Sequence, residues 1–207
     1  NKSRVKTMRK CIDHLYVIFP FEVEFFTQLK MPCTYVGNPT FESVNRYLQN
    51  HSTTQTPTKK TIAILAGSRK NEVSTLLPQF IKATQSLENV DVRIAGAPGL
   101  DLEFYETILA THSLKATVEF EKTFEILNQA HHSGGFALVA SGTATLETGL
   151  FKVPQIVAYR VNSITYFAGK DTLYIQYFDF SGLDFRGFSY LNKNHVNASP
   201  KVSTFIH

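Results

Sequence analysis

Between residues 61 and 159 the chain alternates short apolar segments with amphipathic ones, and this alternation constrains the fold more than any other feature. The apolar segments are continuous, which is typical of parallel strands that are buried on both faces. Helices covering both sides of such a sheet give an α/β fold, here a doubly wound, Rossmann-like parallel sheet. The predicted strands are 61–65, 91–95, 116–120, 136–140 and 155–159, and the predicted helices are 72–86, 101–111, 123–131 and 143–151.

Two of the predicted strands run directly into glycine-containing turns that open a helix, at residues 66–69 and 141–147. Ligands of doubly wound sheets bind at the carboxyl ends of the strands, and the free N–H groups of a helix's first turn attract phosphate. The planar guanidinium of Arg69 is suited to holding a diphosphate at two points. Glu147, one turn into its helix, is placed to accept a hydrogen bond from a sugar hydroxyl. Helix capping and a solvated loop cation are the ordinary alternatives.

The composition is that of a globular protein, with 43% hydrophobic and 18% charged residues among 207. No apolar run is long enough to cross a bilayer, and no signal peptide is recognisable, so we predict a cytoplasmic protein. Cys11 and Cys33 have neither a metal-ligand spacing nor a disulfide pattern. We therefore predict no metal and no cofactor.

Five cations are concentrated within the first ten residues. Such a patch suits an anionic membrane surface or a phosphorylated lipid, although a solvated helix face explains it equally well. Nucleic acid is not a predicted partner, because the basic stretch has little aromatic interleaving and no known binding motif. The cations are Lys2, Arg4, Lys6, Arg9 and Lys10.

The chain divides into four predicted regions. Residues 1–47 contain a helix end, two strands at 15–19 and 34–36, and a helix at 21–30, which we interpret as the last β-α units of a preceding Rossmann-like domain. Residues 48–60 are polar enough to be a linker. Residues 61–170 form the doubly wound domain, and 171–207 an atypical, aromatic-rich tail. Because the first residue is Asn rather than Met, we expect the chain to come from a longer protein.

Two other clusters invite a chemical interpretation. The segment 131–135 contains two His residues, but no third ligand lies at a suitable spacing, so we predict a surface turn rather than a metal site. Glu22 and Glu24 form either a catalytic pair or the usual acidic first turn of a helix.

With these residues in view, the chain resembles the bacterial lipid-A-disaccharide synthases, which are glycosyltransferases with two Rossmann-like domains (the GT-B fold) facing across a cleft. The resemblance covers residues 4 to about 170, and no single matching stretch is diagnostic. The matching stretches are Phe19-Pro20-Phe21-Glu22 with Phe25-Phe26, Tyr35-Val36-Gly37-Asn38-Pro39, Leu65-Ala66-Gly67-Ser68-Arg69 with Glu72, Ser141 through Glu147, and Pro154 through Arg160.

The resemblance implies transfer of 2,3-diacylglucosamine from UDP to 2,3-diacylglucosamine 1-phosphate by an inverting, metal-independent mechanism. It further implies a peripheral location on the inner membrane. We also predict that the protein can form a homodimer. By position, Arg69 stabilises the leaving UDP, and Glu147 binds the ribose. The implied UDP-binding residues are Gly67, Ser68, Arg69, Ser141, Gly142, Thr143, Ala144, Thr145 and Glu147, and the implied cleft-lining residues are Pro20, Phe21, Glu22 and Arg160.

The chain departs from the family pattern in two ways. The family's catalytic base lies in the first domain, most of which is not contained in residues 1–207, so its identity stays unknown and we expect this chain alone to be inactive. The family's Ser-Leu-x-Asn-Leu segment is not found after residue 168, and Asn192 and Asn194 stand in a different context. A reading-frame slip near Lys170 is a hypothesis that accounts for the tail.

Three alternative functions stay open at this stage. UDP-N-acetylglucosamine 2-epimerases and other two-domain UDP-sugar transferases use a similar second domain. The chain could also be a UDP-binding module without catalysis. A structural domain with ordinary glycine turns is the third alternative.

Overall fold

The computed structural model describes residues 2–51, 57–112, 115–161, 172–178 and 204–206. The chain forms two compact units, with residues 2–46 in the first and the second beginning at Tyr47. Each unit has its own sheet.

The first unit contains a pair of short parallel strands and three helical segments. Strands β1 (Leu15–Val17) and β2 (Cys33–Tyr35) pair in parallel, with Leu15 opposite Cys33. Helix α1 (Lys2–Cys11) precedes them, and α2 (Pro20–Gln28) connects them. Proline at the first position of α2 explains its sharp start, since this position needs no N–H donor. These elements match the predicted ones, except that β1 and α2 both end two residues early.

Helix α3 (Pro39–Asn50) was not predicted. Asn38 accepts a hydrogen bond on its side chain from the N–H of Thr40 at 2.9 Å, and Pro39 follows it as the first helical residue. This is a standard helix start. Because α3 continues to Asn50, the first three residues of the predicted 48–60 linker are helical.

The second unit is built on one sheet with strand order β5-β4-β3-β6-β7-β8-β9. Its first five strands in the chain, β3 to β7, are mutually parallel, as predicted for a doubly wound sheet. The strands are β3 (Lys60–Leu65), β4 (Val90–Gly96), β5 (Thr117–Phe120), β6 (Phe136–Ala140) and β7 (Gln155–Val161), and the helices are α4 (Lys70–Thr84), α5 (Leu102–Ala110), α6 (Thr123–His132) and α7 (Thr143–Leu150).

The core of the second unit lies between this sheet and its helices. Helix α4 buries Val73, Leu77, Phe80 and Ile81, which recur at i, i+4, i+7 and i+8 and so form one apolar stripe. The stripe belongs to the same buried cluster as the central strand β3. Each such side chain contributes about 1.5–3 kcal/mol when it is fully buried.

Two antiparallel strands extend the sheet beyond the predicted domain. Strand β8 (Thr172–Phe178) pairs with β7, placing Ile175 opposite Ala158, and β9 (Thr204–Ile206) pairs with β8. The sequence of β8 is rich in aromatic and β-branched residues, which favour strands. Part of the segment predicted as an atypical tail is therefore strand, and the remainder of it, apart from β9, lies outside the described residues.

Strand order brings the two glycine-containing turns together. β3 and β6 are neighbours in register, with Leu65 opposite Val139. The turns that follow them therefore leave the same edge of the sheet side by side. Because β3 pairs with β4 on one side and β6 on the other, this edge is the topological switch point, where doubly wound sheets bind ligands.

Candidate functional site

A cavity of about 310 Å³ lies at the switch point of the second unit. The turns after β3 and β6 form one wall, and the turns after β4 and β5 form the other. Eight of the nine predicted UDP-binding residues line it; the exception is Thr145. From the two predicted turns the lining residues are Gly67, Ser68, Arg69, Ser141, Gly142, Thr143, Ala144 and Glu147.

The turn after β6 presents unpaired backbone donors to this cavity. Within the described part of the chain, the N–H groups of Gly142, Thr143 and Ala144 donate to no protein acceptor, whereas those of Ser141 and Thr145 bond to Ala158 and Gly142. Unpaired donors at the start of a helix, reinforced by the helix dipole, form an anion-binding site.

The two turn glycines are there for different reasons. A Cβ on Gly142 would meet no protein atom within 4 Å, so open space rather than packing surrounds it. Gly67 has φ +119°, and a Cβ there would lie 2.7 Å from the carboxylate of Glu72. Gly67 is thus required by the fold of the turn, while Gly142 leaves room for a ligand to approach the backbone.

The turn after β3 is closed by a side chain that the sequence analysis assigned no role. Glu72, the third residue of α4, accepts a hydrogen bond on Oε2 from the N–H of Ser68 at 3.1 Å. Its Oε1 lies 3.8 Å from Nη1 of Arg69, whose side chain is 81% exposed. The backbone N–H of Ser68 is consequently occupied, and Arg69 stands at the rim of the cavity, where exposure leaves it free to reorient.

Glu147 is half-buried in the cavity wall, and burial raises the pKa of its carboxyl group. Among the described residues, no hydrogen-bond donor or cation pairs with this carboxylate. It also lines a second cavity of about 500 Å³, which Tyr47, His51 and Phe124 line as well. An unpaired, half-buried acceptor of this kind is suited to binding ligand hydroxyl groups.

The opposite wall is held by contacts that sequence analysis did not identify. A Cβ on Gly96 would lie 2.5 Å from the ring of Phe120, so any other residue there would force this ring to move. The buried hydroxyl of Tyr105 accepts a hydrogen bond from the N–H of Ala97 at 2.8 Å. Partners in both contacts are separated along the chain, so no local motif indicated them.

Two further contacts position the turns. Arg93 donates to both carboxylate oxygens of Glu119, at 2.7 and 2.6 Å, beneath the start of α6. The buried Gln155 donates from Nε2 to the carbonyl of Thr145 at 2.9 Å, which fixes the first turn of α7 against β7. Bidentate pairing restricts both side chains of the first contact.

The predicted residues of the first unit have structural partners. Glu22 is the third residue of α2, and its Oε2 accepts hydrogen bonds from the N–H groups of Ile18 and Phe19 at 3.2 and 3.0 Å. Glu24 accepts one from Gln28. Pro20 begins α2, and Phe21 is 61% exposed. Of the two alternatives for this Glu pair, Glu22 has the geometry of a helix-terminal residue.

The sequence also drew attention to Arg160 and to the His pair that follows Ala130. Arg160 lies within β7, but its side chain is outside the described part of the structure. His131 and His132 end α6, with ring centroids 5.1 Å apart, and burial lowers the pKa of His131. Among the side chains that the structure describes, no three His, Cys, Asp or Glu residues group as metal ligands would.

A comparison with known protein families decides between the family that the chain resembles and the other UDP-sugar enzymes with a similar domain. The model of the lipid-A-disaccharide synthetase family matches residues 1–183. The chain belongs to this family.

Individual family members show what fraction of their length this chain spans. The chain is 32% identical over 183 residues to a lipid-A-disaccharide synthase of Helicobacter pylori, an alignment that covers 85% of this chain and 46% of the relative. It is 30% identical over 177 residues to one of Myxococcus xanthus (82% and 45%) and 27% identical over 176 residues to one of Geobacter sulfurreducens (81% and 45%). The chain thus spans less than half the length of the family members it matches.

The family match includes both predicted turns and the first unit. None of the helices in the described ranges combines the length and the apolar character that a membrane span requires. The structure brings together Arg69, the turn after β6 and Glu147, which were predicted to share a ligand. It leaves Thr145 off the cavity wall, because its hydroxyl and N–H both bond to the carbonyl of Gly142.

Proposed function

We propose that this chain is the nucleotide-sugar-binding part of a lipid-A-disaccharide synthase. The complete enzyme would transfer 2,3-diacylglucosamine from UDP to 2,3-diacylglucosamine 1-phosphate. The observation that carries this proposal is the adjacency of three unpaired backbone N–H groups at the start of α7 with the guanidinium of Arg69 and the unpaired carboxylate of Glu147. Together they offer donors for a diphosphate and an acceptor for a ribose.

The proposed chemistry is a single inverting displacement without a metal ion. An acceptor hydroxyl attacks the anomeric carbon of the donor sugar while the bond to the UDP oxygen breaks, and a base takes the proton of that hydroxyl. Negative charge develops on the departing UDP. Arg69 and the N–H groups of 142–144 are placed to stabilise that charge, and preorganised donors of this kind usually contribute most of the rate enhancement in group transfer. The base would come from the part of the enzyme outside residues 1–207.

Isothermal titration calorimetry with UDP tests the proposed site. We expect the chain to bind UDP. The Arg69→Ala variant should bind it roughly ten- to a hundred-fold more weakly, because it loses charge-assisted hydrogen bonds to the diphosphate. Arg46→Ala is a matched control, because Arg46 is also exposed and also pairs with a nearby Glu. Equal affinities of the Arg69 and Arg46 variants would refute the assignment.

The length of the match favours a second candidate, a UDP-binding module without catalysis. The chain contains under half of the relatives' length, so the groups for turnover would have to come from elsewhere. Thin-layer analysis of the longer parent protein with UDP-diacylglucosamine, and with UDP-N-acetylglucosamine as competitor, distinguishes the transferase from this module. The same assay separates it from an epimerase or another UDP-sugar transferase.

We further propose that α1 brings the protein to the cytoplasmic face of the inner membrane. Arg4, Lys6, Arg9 and Lys10 are all exposed on this ten-residue helix. Clustered cations bind anionic lipid by roughly 1 kcal/mol each, an attraction that salt screens. Co-sedimentation with phosphatidylglycerol vesicles at low salt, absent with phosphatidylcholine vesicles, is the expected result. Homodimer formation and the lining of an interdomain cleft by Pro20, Phe21, Glu22 and Arg160 stay predictions, to be tested by sedimentation and by kinetics of the parent enzyme.

A further inference from the structure

The carboxylate of Glu72 occupies the donors that a phosphate would need. Its Oε2 accepts the N–H of Ser68, and its Oε1 faces the guanidinium of Arg69 at 3.8 Å. These are two of the groups that line the diphosphate end of the proposed UDP cavity. They are therefore already engaged by an anion that belongs to the protein.

This carboxylate is also held in place by the turn that it closes. Gly67 has no side chain, and a Cβ there would lie 2.7 Å from Oε2 and 2.8 Å from Cβ of Glu72. The absence of that Cβ lets Glu72 approach closely enough to bond to Ser68. The hydrogen bond then fixes the left-handed conformation of Gly67, so the turn and the carboxylate depend on each other.

The side-chain charges of the cavity wall are unfavourable for a diphosphate. Arg69 is the one cation among its described lining residues, while Glu72 and Glu147 are both carboxylates. The attraction thus comes from Arg69 and from the helix N-termini, and Glu72 opposes it at short range. The Arg69 to Glu72 pair is itself largely exposed, so it contributes little stability of its own.

We propose that Glu72 is a positioning residue with two opposed effects on UDP binding. Its oxygen acceptor holds the Gly67–Ser68 turn in the shape that binds the ligand, whereas its negative charge competes with the diphosphate for Ser68 and Arg69. The consequence is a site that is preformed but binds UDP weakly enough to release it. This inference rests on the proposed UDP site.

The two effects are separable by substitution. Glu72→Gln retains an oxygen acceptor of the same reach but removes the charge, and we expect it to bind UDP about three- to ten-fold more tightly at low ionic strength. This gain should fall below about two-fold in 0.5 M salt, because screening weakens the repulsion. Glu72→Ala removes the acceptor as well, and we expect it to bind UDP about ten-fold more weakly because the turn loses its closing bond.

Calorimetry with UDP and with inorganic diphosphate provides the test, supported by circular dichroism of each variant. Glu103→Gln is the matched control, since Glu103 is an exposed first-turn Glu of α5 that lines none of these cavities. It has the same change in net charge and should leave both affinities unchanged.

The outcomes are distinct. Tighter binding by the Gln variant together with weaker binding by the Ala variant supports the proposal. A Gln variant that binds like the native chain, or more weakly, overturns it, and so does an Ala variant that binds more tightly. If the native chain binds no UDP, the proposed function itself fails. The Gln variant keeps the test decisive should the Ala variant not fold.

Discussion

Among the described glycines, Gly135 has the least room for a side chain. It immediately precedes β6, after the turn that leaves α6, and a Cβ built on it would lie 1.9 Å from the carbonyl oxygen of Thr61 in the adjacent strand β3. The obstacle is backbone rather than a flexible side chain. The same junction is tied by Ser133, whose Oγ accepts the N–H of Thr61 at 2.9 Å. Gly135→Ala is therefore expected to force two central strands apart.

The overlap between the added methyl group and the Thr61 carbonyl sets the size of the expected loss of stability. Ordinary Cβ contacts begin near 3.4 Å, so the methyl group and the carbonyl must separate by about 1.5 Å. That distance exceeds the tolerance of a hydrogen bond and would break about two bonds of the junction, at about 1 kcal/mol each, in addition to about 1–3 kcal/mol for overpacking. We expect a loss of about 3–5 kcal/mol, a large part of the 5–15 kcal/mol that is typical of a domain.

Urea denaturation followed by far-ultraviolet circular dichroism measures this loss, since the chain has no Trp for fluorescence. Gly134→Ala is the matched control. Gly134 has φ +65° but no atom within 4 Å of its would-be Cβ, so it should cost only about 1 kcal/mol of backbone strain. A Gly135→Ala variant no less stable than Gly134→Ala would refute the reasoning, because conformation alone predicts the opposite order.

Two further predictions concern charged groups near the cavity. Burial raises the pKa of Glu147 above its ordinary 4.5, so ionising it costs stability as the pH rises through the raised value. Glu147→Gln should thus melt higher than the native chain at pH 7, while UDP binds more weakly. The gap in melting temperature should shrink as the pH falls from the raised pKa towards 4.5, below which the carboxyl is protonated in both the folded and the unfolded chain; a gap independent of pH would contradict this. Arg93→Met leaves Glu119 without its bidentate partner in a site where each side chain is only 13% exposed, and should cost about 2 kcal/mol. Adding Glu119→Leu should restore most of that loss in urea denaturation, and no restoration would show that the pair acts through something other than its buried charge.

The parallel sheet was predictable because its signal is local. Each of the five apolar segments became a strand with bounds within two residues of the prediction, since continuous apolar runs between amphipathic helices have few other ways to be buried. Helix α3 was missed although its signals are local too: Asn38 and Pro39 provide the start of a helix, and Phe41, Val44 and Leu48 recur at helical spacing. Strand β8 was missed because its pairing with β7 is visible only once the sheet exists.

The site was predictable to the level of turns but not of individual bonds. Glycine, small residues and Arg69 marked both turns, and the adjacency of β3 and β6 brought them together. Whether the Ser68 N–H is free could not be predicted, because that depends on the rotamer of Glu72, and the sequence shows only that a Glu stands four residues later. The opposite wall, where Phe120 covers Gly96, left no signal at all.

By itself, the amino-acid sequence determined the α/β class, the order of strands and helices between residues 61 and 159, and the two strand ends that carry glycine-containing turns. Hydrophobic periodicity and turn-forming residues are properties of neighbouring positions, so they can be recognised without knowledge of the fold. Only the tertiary structure decided which donors remain unpaired, that Gly67 serves the protein while Gly142 faces open space, and that the Glu72 carboxylate accepts the N–H of Ser68. These outcomes depend on distances of an ångström or less between groups that only the completed packing brings together.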